Sequence, residues 1–403
     1  MNEFTQYSLG QQRLFPQEEM LEIKKNKKEL FIGIPKEDKK FENRIPLTPQ
    51  AVKLLSEYGH KIVIETGAGQ GARYSDLEYS EAGAIISQNR EDVFKASIIL
   101  KISPFLNGDI ELLQSNQTII SAIHLSTQTK EQIIALMKKK VYAIAFEYIK
   151  TDFKYHPIVR SMSEIAGKIS INIASEILSN QNNGKGVLLG GITGISPAEI
   201  VIIGSDTAAE HVVNAALGLG ANIKVFDKSI SNLRDLQHRI GRQIFTSILQ
   251  PHALKKALKS AEVVIGSLDI DEQNDDFIVS EEMVKEMKNG SVIIDLNADR
   301  VSCFETSKPT NHSKPTFEKH GVIHYCVPNI ASRVARTASI ALSNILSEDI
   351  IRISEQGGVI NLLKSDKGLR EGVYIFNGIL TKEIVGNKFE IISKDINLLM
   401  AAF

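Results

Sequence analysis

Apolar runs just long enough for one β-strand alternate with amphipathic, helix-length segments along almost the whole chain. This alternation restricts the fold more than any other feature. "LFIGIP" and "KIVIET" flank "TPQAVKLLSEYG", which has Pro49 near its start and Gly59 after its end, the ordinary punctuation of a helix. "ASIILKIS", "TIISAIH" and "YAIAFEYI" continue the series, with helix-like "TKEQIIALMKKK" between the last two. From Ser161, "SMSEIAGKISINIASEILSN" reads as a long connecting helix, broken by "NNGKG". A second set follows in "EIVIIG", "NIKVFD", "EVVIGS", "SVIIDL" and "VIHYCV", and "TASIALSNILSEDIIRIS" from Thr337 is again a long helix. Strands that are apolar throughout are strands covered on both faces, so the class is α/β with parallel sheets.

At 403 residues the chain is too long for one ordinary core. The expected organisation is an N-terminal arm over 1–30, a discontinuous domain over 31–160 and 335–403, and an inserted α/β domain over 161–334. The interdomain cleft is then the natural place for a small ligand. A formal net charge of -1 gives no electrostatic reason to expect nucleic acid or an anionic membrane as partner. The apolar runs fall far short of the ~20 residues of a spanning helix, and the N-terminus lacks the apolar core of a signal peptide. Cys303 and Cys326 lie in apolar surroundings and read as buried thiols of a reducing compartment, with no metal cluster expected. The expected location is the cytoplasm.

"AEIVIIGSDTAAEHVVNAALGLGANIKVFD" (198–227) has the rhythm of a dinucleotide-binding unit: strand, tight turn, small-residue helix, and a second strand ending in an acid. Gly204 takes the place of the first glycine and Asp227 that of the ribose-binding acid. Asp206, however, stands where backbone should approach the pyrophosphate. A carboxylate ~4 Å from one phosphate charge is repelled by roughly 4 kcal/mol at an effective dielectric near 20, about a thousandfold in affinity. "TAAE" (207–210) also has the spacing of a capping box, which would let the helix satisfy its own first amides.

Four further residues have chemistry open to them. Arg44, at the end of a polar loop, is either a bidentate carboxylate ligand or a surface cation. His124 ends an apolar strand, where sites are built, but so do many structural histidines. Asp295 and Asp299 end another strand and are either functional acids or loop caps.

Longer motifs join these positions. "GIPKE…ENRIPLTP", "ETGAGQGARYSDLEYSEAGA", "IHLSTQ", "AIAFEYI", "MSEIAGK", "GKGVLLGGITGISPAEIVIIG" and "CFETSKPTNH…HGVIHYCVPNIASRVARTAS" resemble alanine dehydrogenase, in order over residues 30–346. Wider relatives are the nucleotide-binding subunit of transhydrogenase and saccharopine-type dehydrogenases. The resemblance implies two Rossmann-like domains, the NAD-type one inserted into a discontinuous substrate domain, in homo-oligomers that are often hexamers, or in a hetero-oligomer with an active relative. It implies NAD as cofactor and L-alanine and pyruvate as substrates, with oxidative deamination to pyruvate and ammonia as the reaction. Arg44 matches the family's carboxylate-binding arginine, His124 its acid-base histidine, and Asp299 the aspartate that orients the amine or water. Ser163 matches a cofactor-contacting serine, Asp227 the ribose carboxylate, and Asn329 a residue near the nicotinamide.

The departures from the family pattern are equally specific. Where the family has a substrate-gripping lysine this chain has Ser103, so Lys101, two residues earlier and on the same strand face, is the expected substitute. The family's "DQGG" is "DRVS" (299–302), and the loop after "VVIGS" is acidic "LDIDEQNDD". With Asp206, these changes predict weakened NAD binding. The alternative to an impaired dehydrogenase is a non-catalytic family member, acting as oligomer partner or as sensor of pyruvate or an amino acid. A third reading is a related dehydrogenase with another amino or keto acid.

Overall fold

The computed structural model describes residues 27–151, 155–182, 184–268 and 277–401. Almost all of the expected N-terminal arm and of the acidic loop lie outside the described residues.

The first sheet contains β1 (Phe31–Ile34), β2 (Lys61–Glu65), β3 (Ile85–Ser87), β4 (Ile98–Leu100), β5 (Thr118–Ser121) and β6 (Tyr142–Ala145). The second contains β7 (Glu199–Ile203), β8 (Asn222–Asp227), β9 (Phe245–Ile248), β10 (Val263–Gly266), β11 (Val292–Asp295), β12 (Thr316–Lys319) and β13 (Val322–Tyr325). The chain then returns to the first sheet with β14 (Val373–Phe376) and β15 (Ile379–Leu380). Two long helices make the crossings, Pro157–Leu178 outward and Ala335–Glu355 back.

The first sheet runs β15-β14-β6-β5-β4-β1-β2-β3 and the second β12-β13-β11-β10-β7-β8-β9. Without the antiparallel strands, each is a parallel sheet in the doubly wound order 3-2-1-4-5-6. Both domains are Rossmann-like. The switch points fall between β1 and β4 in one sheet and between β7 and β10 in the other, and crevices open beyond the carboxyl ends of those strands.

The expectation of parallel sheets needs one correction. β14 and β15 are antiparallel additions at one edge of the first sheet, and β12 is an antiparallel edge strand of the second. Both hairpins turn on two positive-φ residues, Asn377-Gly378 and His320-Gly321, as tight two-residue loops require. The long helices also begin earlier than expected, at Pro157 and Ala335 instead of residues 161 and 337. Pro157 suits a first helical position, where its missing N–H costs nothing.

Side-chain alternation along the strands divides each core in two. Ile32, Ile34, Ile62, Ile64, Ile98 and Leu100 pack with Leu342, Leu346, Ile350 and Ile353 of the returning helix. Val63, Ile99, Ile119 and Ala143 point the other way, toward Val93 and Phe94. In the second sheet Ile200, Ile202, Val225, Val263 and Ile265 meet Ile171, Ala174 and Leu178 of the outgoing helix together with Val212 and Val213. Gly167 permits that last contact, since a Cβ there would lie 2.3 Å from the Ala208 carbonyl oxygen. The nucleotide-type helix Thr207–Gly218 is thereby pressed against the crossing helix at the mouth of the cleft.

Candidate active site

A cleft of about 260 Å³ lies between the carboxyl ends of the two sheets. Arg44, His124 and Glu147 line it from the first sheet, Asp206, Asp299 and Arg300 from the second, and Ser163 from the crossing helix. Asn329 also lines it. Residues far apart in the sequence thus converge on one small space.

Arg44 is buried and held by its near neighbour. Its Nε donates to Glu42 Oε1 at 2.8 Å and its Nη2 to Glu42 Oε2 at 2.6 Å, a bidentate pair. Burial pushes the Glu42 carboxyl up, but the Arg44 guanidinium and its hydrogen bonds outweigh this and hold it at about 2. Asn329 Nδ2 donates to the same carboxylate at 3.1 Å, and His312 Nε2 lies 3.1 Å from Asn329 Oδ1. Among the described residues the third edge of the guanidinium, Nη1, meets only the Met162 sulfur, at 3.3 Å, and so keeps donor capacity for an anionic group.

His124 follows β5 with left-handed backbone angles, φ 40 and ψ 68, uncommon for a residue with a side chain. Glu147, just after β6, fixes this conformation: its Oε1 accepts from the Ile123 amide at 2.8 Å and the His124 amide at 3.2 Å. His124 Nδ1 lies 3.8 Å from Asp299 Oδ2, an ion-pair distance too long for a hydrogen bond. Asp295, the other carboxylate on that strand end, is buried, accepts from Ser302 Oγ and the Asn297 amide, and caps the loop. Burial raises its pKa. The two acids that the sequence left equivalent are therefore separated, one facing the cleft and the other serving the backbone.

Lys101 does not join the cleft. Its ammonium turns to Asp109 Oδ2 at 2.7 Å and lies 3.7 Å from Glu37 Oε2, both buried. Arg90 bonds the same Asp109 and also Glu65, so the switch point of the first sheet is filled by an ion-pair network. Arg300 occupies the cleft beside Asp299 and has no ion pair among the described residues.

At the second switch point Gly204 adopts φ +117, and a Cβ there would lie 2.5 Å from Ser267 Oγ and 2.7 Å from the Leu268 amide, so only glycine fits the turn. Asp227 is buried at the end of β8, where Oδ2 accepts from Ser205 Oγ at 2.7 Å and Oδ1 from the Ser229 amide at 2.8 Å. It does not line the cleft itself; its hydrogen bond to Ser205 ties the strand end to the turn. The expected capping box is not formed. Asp206 is the N-cap, its Oδ1 accepting from the Ala209 amide at 2.9 Å, which shifts Glu210 one place beyond the capping position. Glu210 pairs instead with Arg239 Nε at 2.6 Å, and Arg239 Nη2 donates to the Ser205 carbonyl at 3.1 Å.

The comparisons with known proteins coincide with this layout. The profile described as alanine dehydrogenase/PNT, N-terminal domain, matches residues 33–166, and that of the C-terminal domain matches residues 170–383. The chain belongs to the alanine dehydrogenase/PNT family. It is 36% identical over 364 residues to the alanine dehydrogenase of Methanococcus maripaludis, covering 90% of this chain and 97% of that protein. It is 34% identical over 366 residues to alanine dehydrogenase 2 of Staphylococcus aureus, covering 91% of this chain and 98% of that protein. A solved L-alanine dehydrogenase superposes with TM-score 0.83 at 32% identity, covering 89% of this chain and 99% of the other. A transhydrogenase from Sinorhizobium meliloti, at TM-score 0.73 and 22% identity over 87% of this chain and 98% of its own, shares the fold.

Sequence reasoning passed over Glu42 and Glu147. Both carried a signal, an acid two residues before the candidate arginine and an acid immediately after an apolar strand.

Proposed function

We propose that the chain is an NAD-dependent alanine dehydrogenase, interconverting L-alanine with pyruvate and ammonia. The observation that carries this reading is the meeting of Arg44, His124 and Asp299 in one cleft at the crevice of two Rossmann-like sheets. The two buried free thiols support a cytoplasmic setting, and the family resemblance supports a homo-oligomer.

The residues present fit a dinucleotide apart from one group. The strand order, the glycine-only turn and the buried strand-end Asp227 are in place. Thr207 and Ala208 begin the helix, and first-turn amides lie beyond the reach of a helix's own carbonyls. Ser163, Gly204, Asp227 and Asn329 are the residues that would hold the cofactor, and Asp206 is the discordant one. NAD, when bound, supplies the hydride acceptor.

The chain's own residues do the rest. Arg44 Nη1 takes one substrate carboxylate oxygen. With Lys101 turned away, Arg300 supplies the second cation of the cleft. His124 Nδ1 faces Asp299, so its Nε2 is the ring atom that exchanges a proton with the substrate nitrogen or with the water that attacks the imine. Asp299, 3.8 Å from Nδ1, stabilises the protonated ring by its charge.

The test is NADH consumption with pyruvate and ammonium in wild type and His124→Asn. The expected result is turnover in wild type and a loss of at least about a hundredfold in the variant, the usual contribution of a positioned acid-base group. Pyruvate binding by calorimetry without any turnover would favour the non-catalytic sensor instead.

A further inference from the structure

The Nη1 edge of Arg44 points where Glu42 holds it. The guanidinium is planar, and its Nε and Nη2 are both spent on the Glu42 carboxylate, at 2.8 and 2.6 Å. The plane of the acid therefore sets the plane of the base. Glu42 Oε1 also takes the Asn43 and Arg44 amides of its own loop, at 3.1 and 2.9 Å, contacts that leave the carboxylate a pivot. Its other oxygen is held from the side of the second sheet. Asn329, just past β13, donates from Nδ2 to Oε2 at 3.1 Å, and Ser332 helps to hold the same carboxylate.

An amide side chain can present either its nitrogen or its oxygen. Here the nitrogen has to face Glu42, because Nδ2 spends both hydrogens on acceptors, the Phe41 carbonyl at 2.6 Å and Glu42 Oε2 at 3.1 Å. Turned over, the amide would set its oxygen against both. The oxygen has its own partner, since His312 Nε2 lies 3.1 Å from Asn329 Oδ1. Oδ1 only accepts, so Nε2 carries the hydrogen. Burial pushes the His312 pKa down against the pull of Glu42 and Asn329, which leaves the ring as the neutral Nε2–H tautomer. A tight turn places that ring: Asn311 Oδ1 accepts the Ser313 and Lys314 amides, both at 3.0 Å.

We propose that His312 is a positioning residue for the substrate carboxylate. It fixes the Asn329 amide, the amide fixes Glu42, and Glu42 aims the Nη1 edge of Arg44. The identity of the carboxylate rests on the alanine dehydrogenase reading. His312 is not among the residues that line the cleft, so it acts only through this chain, unlike His124. With both N–H groups committed, the Asn329 side chain keeps only a lone pair on Oδ1 for a cofactor.

The test compares His312→Leu, which removes the donor, with His312→Gln, whose amide restores one. In reductive amination the KM for pyruvate should rise about threefold to tenfold in His312→Leu, the net worth of one hydrogen bond. The kcat and the KM for ammonium should stay within about twofold, and His312→Gln should recover most of the loss. Calorimetry on the full chain should show pyruvate binding weakened by the same factor and NADH binding unmoved. An unchanged pyruvate KM would overturn the proposal. So would a fall in NADH affinity with pyruvate unmoved, which would give Asn329 to the dinucleotide. A parallel rise in every KM with a lower melting temperature, not recovered in His312→Gln, would also overturn it and leave a packing role. If wild type neither turns over nor binds pyruvate, the dehydrogenase reading fails, and amide hydrogen exchange over residues 41–45 decides instead. Faster exchange in His312→Leu, reversed in His312→Gln, upholds the tie; equal exchange in all three chains overturns it.

Discussion

Asp206 Oδ1 accepts the Ala209 amide at 2.9 Å, so the acid that intrudes on the nucleotide turn is also the cap of the helix behind it. Its presence near the phosphate seat therefore has a local structural cause. The same bond restrains the carboxylate where it lines the cleft.

Replacing Asp206 by Gly should tighten NADH binding by about tenfold or more, with a thousandfold as the upper guide from unscreened repulsion. The helix should lose only a few tenths of a kcal/mol, because glycine is itself an acceptable N-cap. Titration calorimetry with NADH checks the first expectation and thermal melting the second. An unchanged affinity would mean that the carboxylate points away from the phosphates.

Glu42 and Arg44 make a sharper stability prediction. Glu42→Ala leaves a buried guanidinium unpaired and should cost about 3–5 kcal/mol in unfolding free energy. In wild type the folded Glu42 pKa is depressed to about 2 from its ordinary 4.5. The stability it contributes is fully present above pH ~5 and is lost as pH falls toward 2. Denaturant melts from pH 6 to 3 should show that loss in wild type and a flatter profile in the variant.

Arg300→Gln, which restores the family's residue, should raise the KM for pyruvate about tenfold, the loss of one charge-assisted contact. NADH affinity should be unchanged. If NADH affinity falls and the pyruvate KM does not move, the guanidinium serves the dinucleotide and not the carboxylate.

Much of this was legible in the residues themselves. Strand-sized apolar runs located both sheets because buried parallel strands have little freedom in composition. Gly204 could be read because a backbone that admits no Cβ admits only one residue. Long motifs brought Arg44, His124, Ser163, Asp299 and Asn329 forward, and the structure gathers them in the cleft. The orientation of Lys101 was not legible, because it is set by Asp109 and Glu37, partners that no alternation rule connects to it. The "TAAE" spacing misled because an acid one position earlier starts the helix and caps it through the Ala209 amide, and the local rule does not say which cap wins. Glu147 stayed unremarked because its meaning lies in bonds to residues 123 and 124, just past the end of the neighbouring strand.

The chain passes between its two sheets only through the helices Pro157–Leu178 and Ala335–Glu355, and the imidazole of His124 and the carboxylate of Asp299 sit on opposite banks of the gap. A small hinge rotation about those crossings would uncouple the pair without disturbing either half. In the proposed mechanism, proton exchange then depends on the two halves holding this 3.8 Å spacing, which neither half sets alone.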